Sequence, residues 1–259
     1  MNVPTMADMM AQGKQPEVLF WVGAAGSYDD RAKKITKSFV KILNTAGVDF
    51  AVLGTEESST GDAAKRAGNE FLFQMQAMTN IEVLNAYEVK TIVTCDPHSF
   101  NTLKNEYPGL GGKYEVYHHT QFISKLISDG RLAIDDANLK GKRVTYHDPC
   151  YLGRANDVYE SPRALIRSLG VKMTEMKRSK STALCCGAGG AQMFKDAERG
   201  DKEINILRTE DALETNPQII ATGCPYCNTM MTDGVKFKLK EDQVVVKDIA
   251  ELIAEANNL

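Results

Sequence analysis

The chain's 259 residues are 43% hydrophobic and 25% charged, enough apolar material for one large core or two modest ones. Thirty-one basic residues face 34 acidic ones, a net charge of -3 without a long like-charge block, which argues against a nucleic-acid grip. No apolar run approaches the roughly 18 to 20 residues of a membrane span, and the opening MNVPTMADMMAQGKQPEVLF lacks the basic and apolar regions of a secretory signal, so a cytoplasmic protein is expected.

Residues 1–16 read as an N-terminal extension whose Met6, Met9 and Met10 belong to a frayed end rather than to a docking face. Short β-branched or aromatic runs then alternate with helical patterns. Strands are expected at 18–23, 50–54, 91–95 and 115–119, and again at 143–147, 172–176, 218–222 and 244–246. Helical stretches fall at 30–45, 62–87, 121–128, 162–169, 201–214 and 249–257. Such alternation predicts a parallel α/β fold.

The two halves match in register. An offset of 126 residues pairs Ala24 with Cys150, Ser59 with Cys185, Thr60 with Cys186 and Gly61 with Gly187. An offset of 128 then pairs Thr94 with Thr222, Asp96 with Cys224, Ser99 with Cys227 and, as expected helix N-caps, Thr120 with Asp248. The chain therefore reads as a duplication, α/β with two pseudo-symmetric lobes, each a small mainly parallel sheet flanked by helices. The first lobe spans 17–135 and lacks the cysteines; the second spans 136–259, the boundary falling in the polar, turn-rich 129–141. The stretch 55–62 is assigned to the inter-lobe surface.

Five of six cysteines (Cys150, Cys185, Cys186, Cys224 and Cys227) lie in the second half. In a reducing compartment, C-C and C-x-x-C groups read as thiolate ligands rather than disulfides. Three loops carry them to the carboxyl edge of one parallel sheet, the usual site of open α/β folds. Soft thiolates favour iron-sulfur clusters or tetrahedral zinc. Four thiolates satisfy either; a fifth favours an iron-sulfur centre, with structural zinc, or a thiol-disulfide reductase using Cys224 and Cys227, as the alternatives. Gly187, Gly189 and Gly190 would let backbone N–H groups approach the sulfurs. There is no phosphate-binding glycine loop and no G-x-S-x-G elbow.

The phrases HDPCYLGR, LCCGAGG and GCPYC resemble the cysteine-rich CCG domain of iron-sulfur oxidoreductases, namely the heterodisulfide reductase B subunit, the glycolate oxidase iron-sulfur subunit and the lactate-utilisation iron-sulfur protein. VGAAGSYDDR, EESSTGDAAKRAGNE and HSFNTLKNEYP extend the likeness to the first half. The resemblance implies one 4Fe-4S cluster, cubane or noncubane, on Cys150, Cys185, Cys186, Cys224 and Cys227. It implies none in the first lobe, where Ala24, Ser59, Asp96 and Ser99 stand at the ligand positions. It further implies an electron-transfer subunit with a ferredoxin-like or flavoprotein partner, and peripheral association with a quinone-linked complex at the inner membrane. Cys95 is expected to be a buried strand-end thiol and His147 to make a structural hydrogen bond. Arg154 is assigned either to the cluster's charge, to an anionic substrate or to a surface ion pair.

Overall fold

The computed structural model describes residues 3–196 and 199–259. Its first helix, α1 (Met6–Ala11), is capped by Thr5, which accepts from the Asp8 N–H at 3.1 Å while the Asp8 carboxylate accepts from the Thr5 N–H at 3.0 Å. Thr5 also bridges to Val52 beside the first sheet, and Met6 and Met9 are buried. The expected fraying is therefore wrong for the described part of this segment: the capping box and the methionines at i and i+3 dock it onto the first lobe. Met1 and Asn2 lie outside the described residues.

The first lobe continues as β1 (Val18–Trp21), α2 (Gly23–Tyr28), α3 (Ala32–Thr45), β2 (Phe50–Ala51), α4 (Asp62–Arg66), α5 (Glu70–Ala86), β3 (Thr91–Thr94), α6 (Pro97–Asn101), β4 (Glu115–His118) and α7 (His119–Ser128). The second runs β5 (Arg143–Tyr146), α8 (Glu160–Ser168), β6 (Lys172–Met173), α9 (Ile204–Leu213), β7 (Ile219–Thr222), α10 (Pro225–Phe237), β8 (Val245–Asp248) and α11 (Ile249–Ala256). Each expected strand is present. The helix expected over 62–87 is instead two, because the turn through Gly68 ends α4 and Asn69 restarts the chain by accepting from the Leu72 N–H at 3.0 Å.

The sheets have orders β2-β1-β3-β4 and β6-β5-β7-β8, with every neighbouring pair parallel. Phe20 pairs with Val93 and Tyr146 with Ala221, so the offsets of 126 and 128 residues hold in the strand register. The last strand departs from them. Thr94 pairs with His118 and Thr222 with Asp248, an offset of 130, so the N-cap counterpart of Asp248 is His118 and not Thr120. The third helical residue reaches back in both copies: Gln121 accepts from the His118 N–H at 3.2 Å and Glu251 from the Asp248 N–H at 2.9 Å.

One hydrophobic cluster crosses between the lobes. It includes Phe39 and Leu43 of α3, Phe122 and Ile123 of α7, Leu165 and Ile166 of α8, and Ile249 and Ile253 of α11. Amphipathic helices seal each lobe against the other here, so the association rests on burial of apolar area. Arg31 adds a fork onto Glu251 at 2.7 and 2.8 Å and donates to the Val246 carbonyl at 2.8 Å. The connection between α7 and β5 sends Leu132 and Leu139 into the same cluster.

Candidate metal centre

The carboxyl ends of β5 and β7 deliver the cysteines. Past β5, the run His147-Asp148-Pro149 leads to Cys150; past β7, Cys224 caps α10 and Cys227 occupies its first turn. Cys185 and Cys186 arrive on the loop before α9. Cys185, Cys186, Cys224 and Cys227 pack in one small cluster, with Cys150 next to it beside Cys185. Cys227 Sγ lies 3.4 Å from Cys186 Sγ, and no cysteine is in a disulfide. The expected convergence of three loops is present.

Backbone donors face these sulfurs. The Gly187 N–H donates to Cys185 Sγ at 3.3 Å and the Cys227 N–H to Cys224 Sγ at 3.5 Å. Gly187 has φ +93°, and a Cβ there would meet Ile204 at 2.4 Å, so only glycine gives the loop this approach. Hydrogen bonds from Cys150 and Cys186 hold the Cys185 thiol far below its usual range, while the same contacts push Cys150 and Cys186 up. Thiols held this close cannot all ionise together, which marks the group as a candidate cation site.

His147 gives a second mark. Its Nδ1 accepts from Arg208 Nε at 3.0 Å, which fixes the proton on Nε2, and Nε2 is buried without a partner among the described residues. A ring nitrogen of His147 and the sulfurs of Cys186 and Cys227 all lie within 4.8 Å of one another. Burial, then the Arg208 charge, push the imidazole down to about 3, so it is a neutral donor. An N–H left over beside two cysteine sulfurs suits a group rich in sulfur.

The first lobe preserves the same frame with other atoms. The Gly61 N–H donates to Ser59 Oγ at 3.2 Å, as Gly187 does to Cys185, and Gly61 has φ +87°. Asp96 caps α6 as Cys224 caps α10, accepting from the Ser99 N–H at 3.1 Å and from Ser99 Oγ at 2.7 Å. Hard oxygens that satisfy one another stand where the second lobe has soft sulfurs.

Cys95 is buried at the end of β3, and burial, joined by Asp248 and Asp96, pushes its thiol up. Arg154 donates to the Ala183 carbonyl, bracing the loop before Cys185. His118 Nε2 donates to the Gly223 carbonyl at 3.0 Å, a link from the first lobe to the residue before Cys224. The sequence reading missed Arg208 and also Arg163, which is fully buried and forks onto Asp148 at 2.7 and 2.9 Å. Asp148 in turn accepts from the Lys180 N–H at 2.8 Å, so one carboxylate ties the Cys150 loop to the segment leading to Cys185. Buried arginines on helices carry no sequence signal beyond their spacing.

No helix among the described residues is long and apolar enough to cross a membrane. The chain is 49% identical over 256 residues to a probable iron-sulfur-binding oxidoreductase of Bacillus subtilis, covering 98% of this chain and 36% of that protein. It is 44% identical to an EtfAB:quinone oxidoreductase of Syntrophomonas wolfei, covering 98% and 36%. It is also 35% identical to one subunit of the dihydromethanophenazine:CoB--CoM heterodisulfide reductase of Methanosarcina barkeri, covering 94% and 59%. The chain thus spans between about a third and three fifths of the length of these relatives. The model of the CCG cysteine-rich domain matches twice, at residues 18–104 and 144–232, once on each sheet, and with its two copies the chain belongs to the CCG cysteine-rich domain family.

Proposed function

We propose that the chain is an electron-transfer module of an iron-sulfur oxidoreductase, in which Cys150, Cys185, Cys186, Cys224 and Cys227 hold a single 4Fe-4S centre of the five-cysteine, noncubane kind. The observation that carries this reading is the gathering of Cys185, Cys186, Cys224 and Cys227 in one small cluster, with Cys150 beside Cys185 and a ring nitrogen of His147 within 4.8 Å of the Cys186 and Cys227 sulfurs. When bound, the cluster supplies one-electron chemistry at a potential set by hydrogen bonds and exposure. The chain's own residues fix the sulfurs and aim N–H donors at them. They also exclude water: Cys186, Cys224 and Cys227 are 3%, 1% and 3% exposed. Such burial disfavours the thiol-disulfide alternative, which needs a reachable thiolate. A fifth thiol disfavours zinc, which takes four ligands. A ferredoxin-like or flavoprotein subunit as partner, and a quinone-linked complex at the membrane, accord with the names of the relatives.

Iron, acid-labile sulfide and zinc are to be measured on anaerobically purified protein. About four irons and four sulfides per chain are expected, with both lost in Cys185→Ser, Cys186→Ser. One zinc without sulfide would overturn the proposal. His147→Leu is expected to keep the iron and lower the reduction potential seen in a redox titration, because a hydrogen bond to sulfur raises it; an unchanged potential would remove His147 from this role.

A further inference from the structure

The lobe without the cysteine set still reaches the centre. At the offset of 128 residues His98 corresponds to Tyr226, which lies between Cys224 and Cys227. The two rings meet edge to face across the lobe boundary, 5.8 Å apart. The same imidazole lies 4.4 Å from the ring of Tyr151, which follows Cys150. Its Cε1 comes within 3.4 Å of the place a Cβ would take at Gly189, on the loop of Cys185 and Cys186. One first-lobe side chain therefore rests against all three loops that carry the cysteines.

The ring is fixed from its own side. His98 Nδ1 donates to Asp62 at 2.9 Å and the His98 N–H donates to Asp96 at 3.0 Å, and the side chain is 10% exposed. Burial works against the charged imidazole, but the Asp62 hydrogen bond and the charges of Asp96, Cys224 and Asp62 outweigh it and raise His98 to about 9, so its contact with Asp62 is an ion pair. Asp62 also accepts from Arg66 Nε at 3.1 Å, and the Arg66 guanidinium lies 5.3 Å over the Tyr151 ring. On the same loop Asn156 donates to the Tyr151 carbonyl at 2.7 Å and to Asn101 of α6 at 3.1 Å. His118 adds its bond to the carbonyl of Gly223, ahead of Cys224.

Ligand geometry is as precise as the groups that support it, and packed rings held by an ion pair allow little tilt. We propose that His98 is a positioning residue of the centre, by which the first lobe holds the three cysteine loops of the second in one arrangement. The proposal rests on the reading of those loops as a single metal site. In this role the first lobe is the outer wall of its neighbour's site, which accounts for its close apposition to every ligand loop.

Iron is to be removed anaerobically by chelation, the fold checked by circular dichroism against the loaded protein, and each thiol followed by an iodoacetamide pulse and peptide mass mapping. In the parent, Cys186, Cys224 and Cys227, at 3%, 1% and 3% exposure, should react more slowly than the half-buried Cys150 and Cys185. In His98→Ala the three slow thiols should react about tenfold faster, as for a local opening made easier by loss of one support. His98→Asn separates positioning from folding. Its amide can still donate to Asp62 but is too short to pack on Tyr151, Gly189 and Tyr226, so it should keep the parent's urea midpoint and still expose the thiols. Cys95, 5% exposed in the cluster between the lobes, gauges general loosening and should keep the parent's rate. On the loaded protein, a ferrous chelator should strip iron from both variants faster than from the parent. Parent-like alkylation or stripping in either variant, or equal acceleration at Cys95, overturns the proposal. The alkylation needs no cluster, so its result stands apart from the iron analysis that decides the electron-transfer reading.

Discussion

Arg163→Ala is expected to destabilise the protein by about 3–5 kcal/mol and to empty the metal centre, because it leaves a buried carboxylate without its cation. Arg163 is fully buried and divides its guanidinium between Asp148 and Glu175, all four contacts lying between 2.7 and 2.9 Å. Of the two carboxylates, Asp148 matters more: its side chain is 4% exposed against 39% for Glu175, so water cannot take over the role of Arg163 at Asp148. Asp148 also orients the loops of Cys150 and Cys185, so the loss should reach the sulfurs. Urea unfolding with iron retention measured on the same samples tests this. Arg163→Lys, a point charge in place of a fork, should recover part of the stability. A loss below about 1 kcal/mol would place the pair among the weak surface bridges instead.

The second large effect runs in the opposite direction. Ala24→Cys, Ser59→Cys, Thr60→Cys, Asp96→Cys and Ser99→Cys together are expected to raise the iron content from about four to about eight per chain, as a second 4Fe-4S centre forms. The backbone seat is already there: the Gly61 N–H, the positive φ of Gly61 and the N-cap at residue 96 match their second-lobe counterparts. Asp96→Cys with Ser99→Cys alone should add no iron, since two thiolates do not complete the ligand set. A folded five-site variant that stays at about four irons would show that the likeness of the two seats ends at the hydrogen bonds.

Much of this was legible in the sequence because it is periodic. Eight β-branched runs marked the eight strands, and the spacing of the cysteines exposed the duplication and the convergence of the five sulfurs. Illegible parts depended on single residues acting at a distance. The seat of α1 hangs on Thr5 and Asp8, and the break between α4 and α5 on Gly68 and Asn69. Helix α10 escaped notice because its first turn is Cys-Pro-Tyr-Cys, which reads as a metal motif before it reads as a helix start with proline at its first position. Around the site, Arg163, Arg208 and the His98–Asp62 pair join residues 12 to 61 positions apart, and only the fold brings them together.

The hydrophobic cluster that joins the lobes contains none of the five site cysteines; Cys185, Cys186, Cys224 and Cys227 pack in a small cluster of their own with Ala188, Met193, Tyr226 and Met230. The association of the lobes therefore does not pass through the site cysteines, and anaerobic chelation of iron is expected to leave the two lobes joined, with the far-ultraviolet circular dichroism of the chain unchanged.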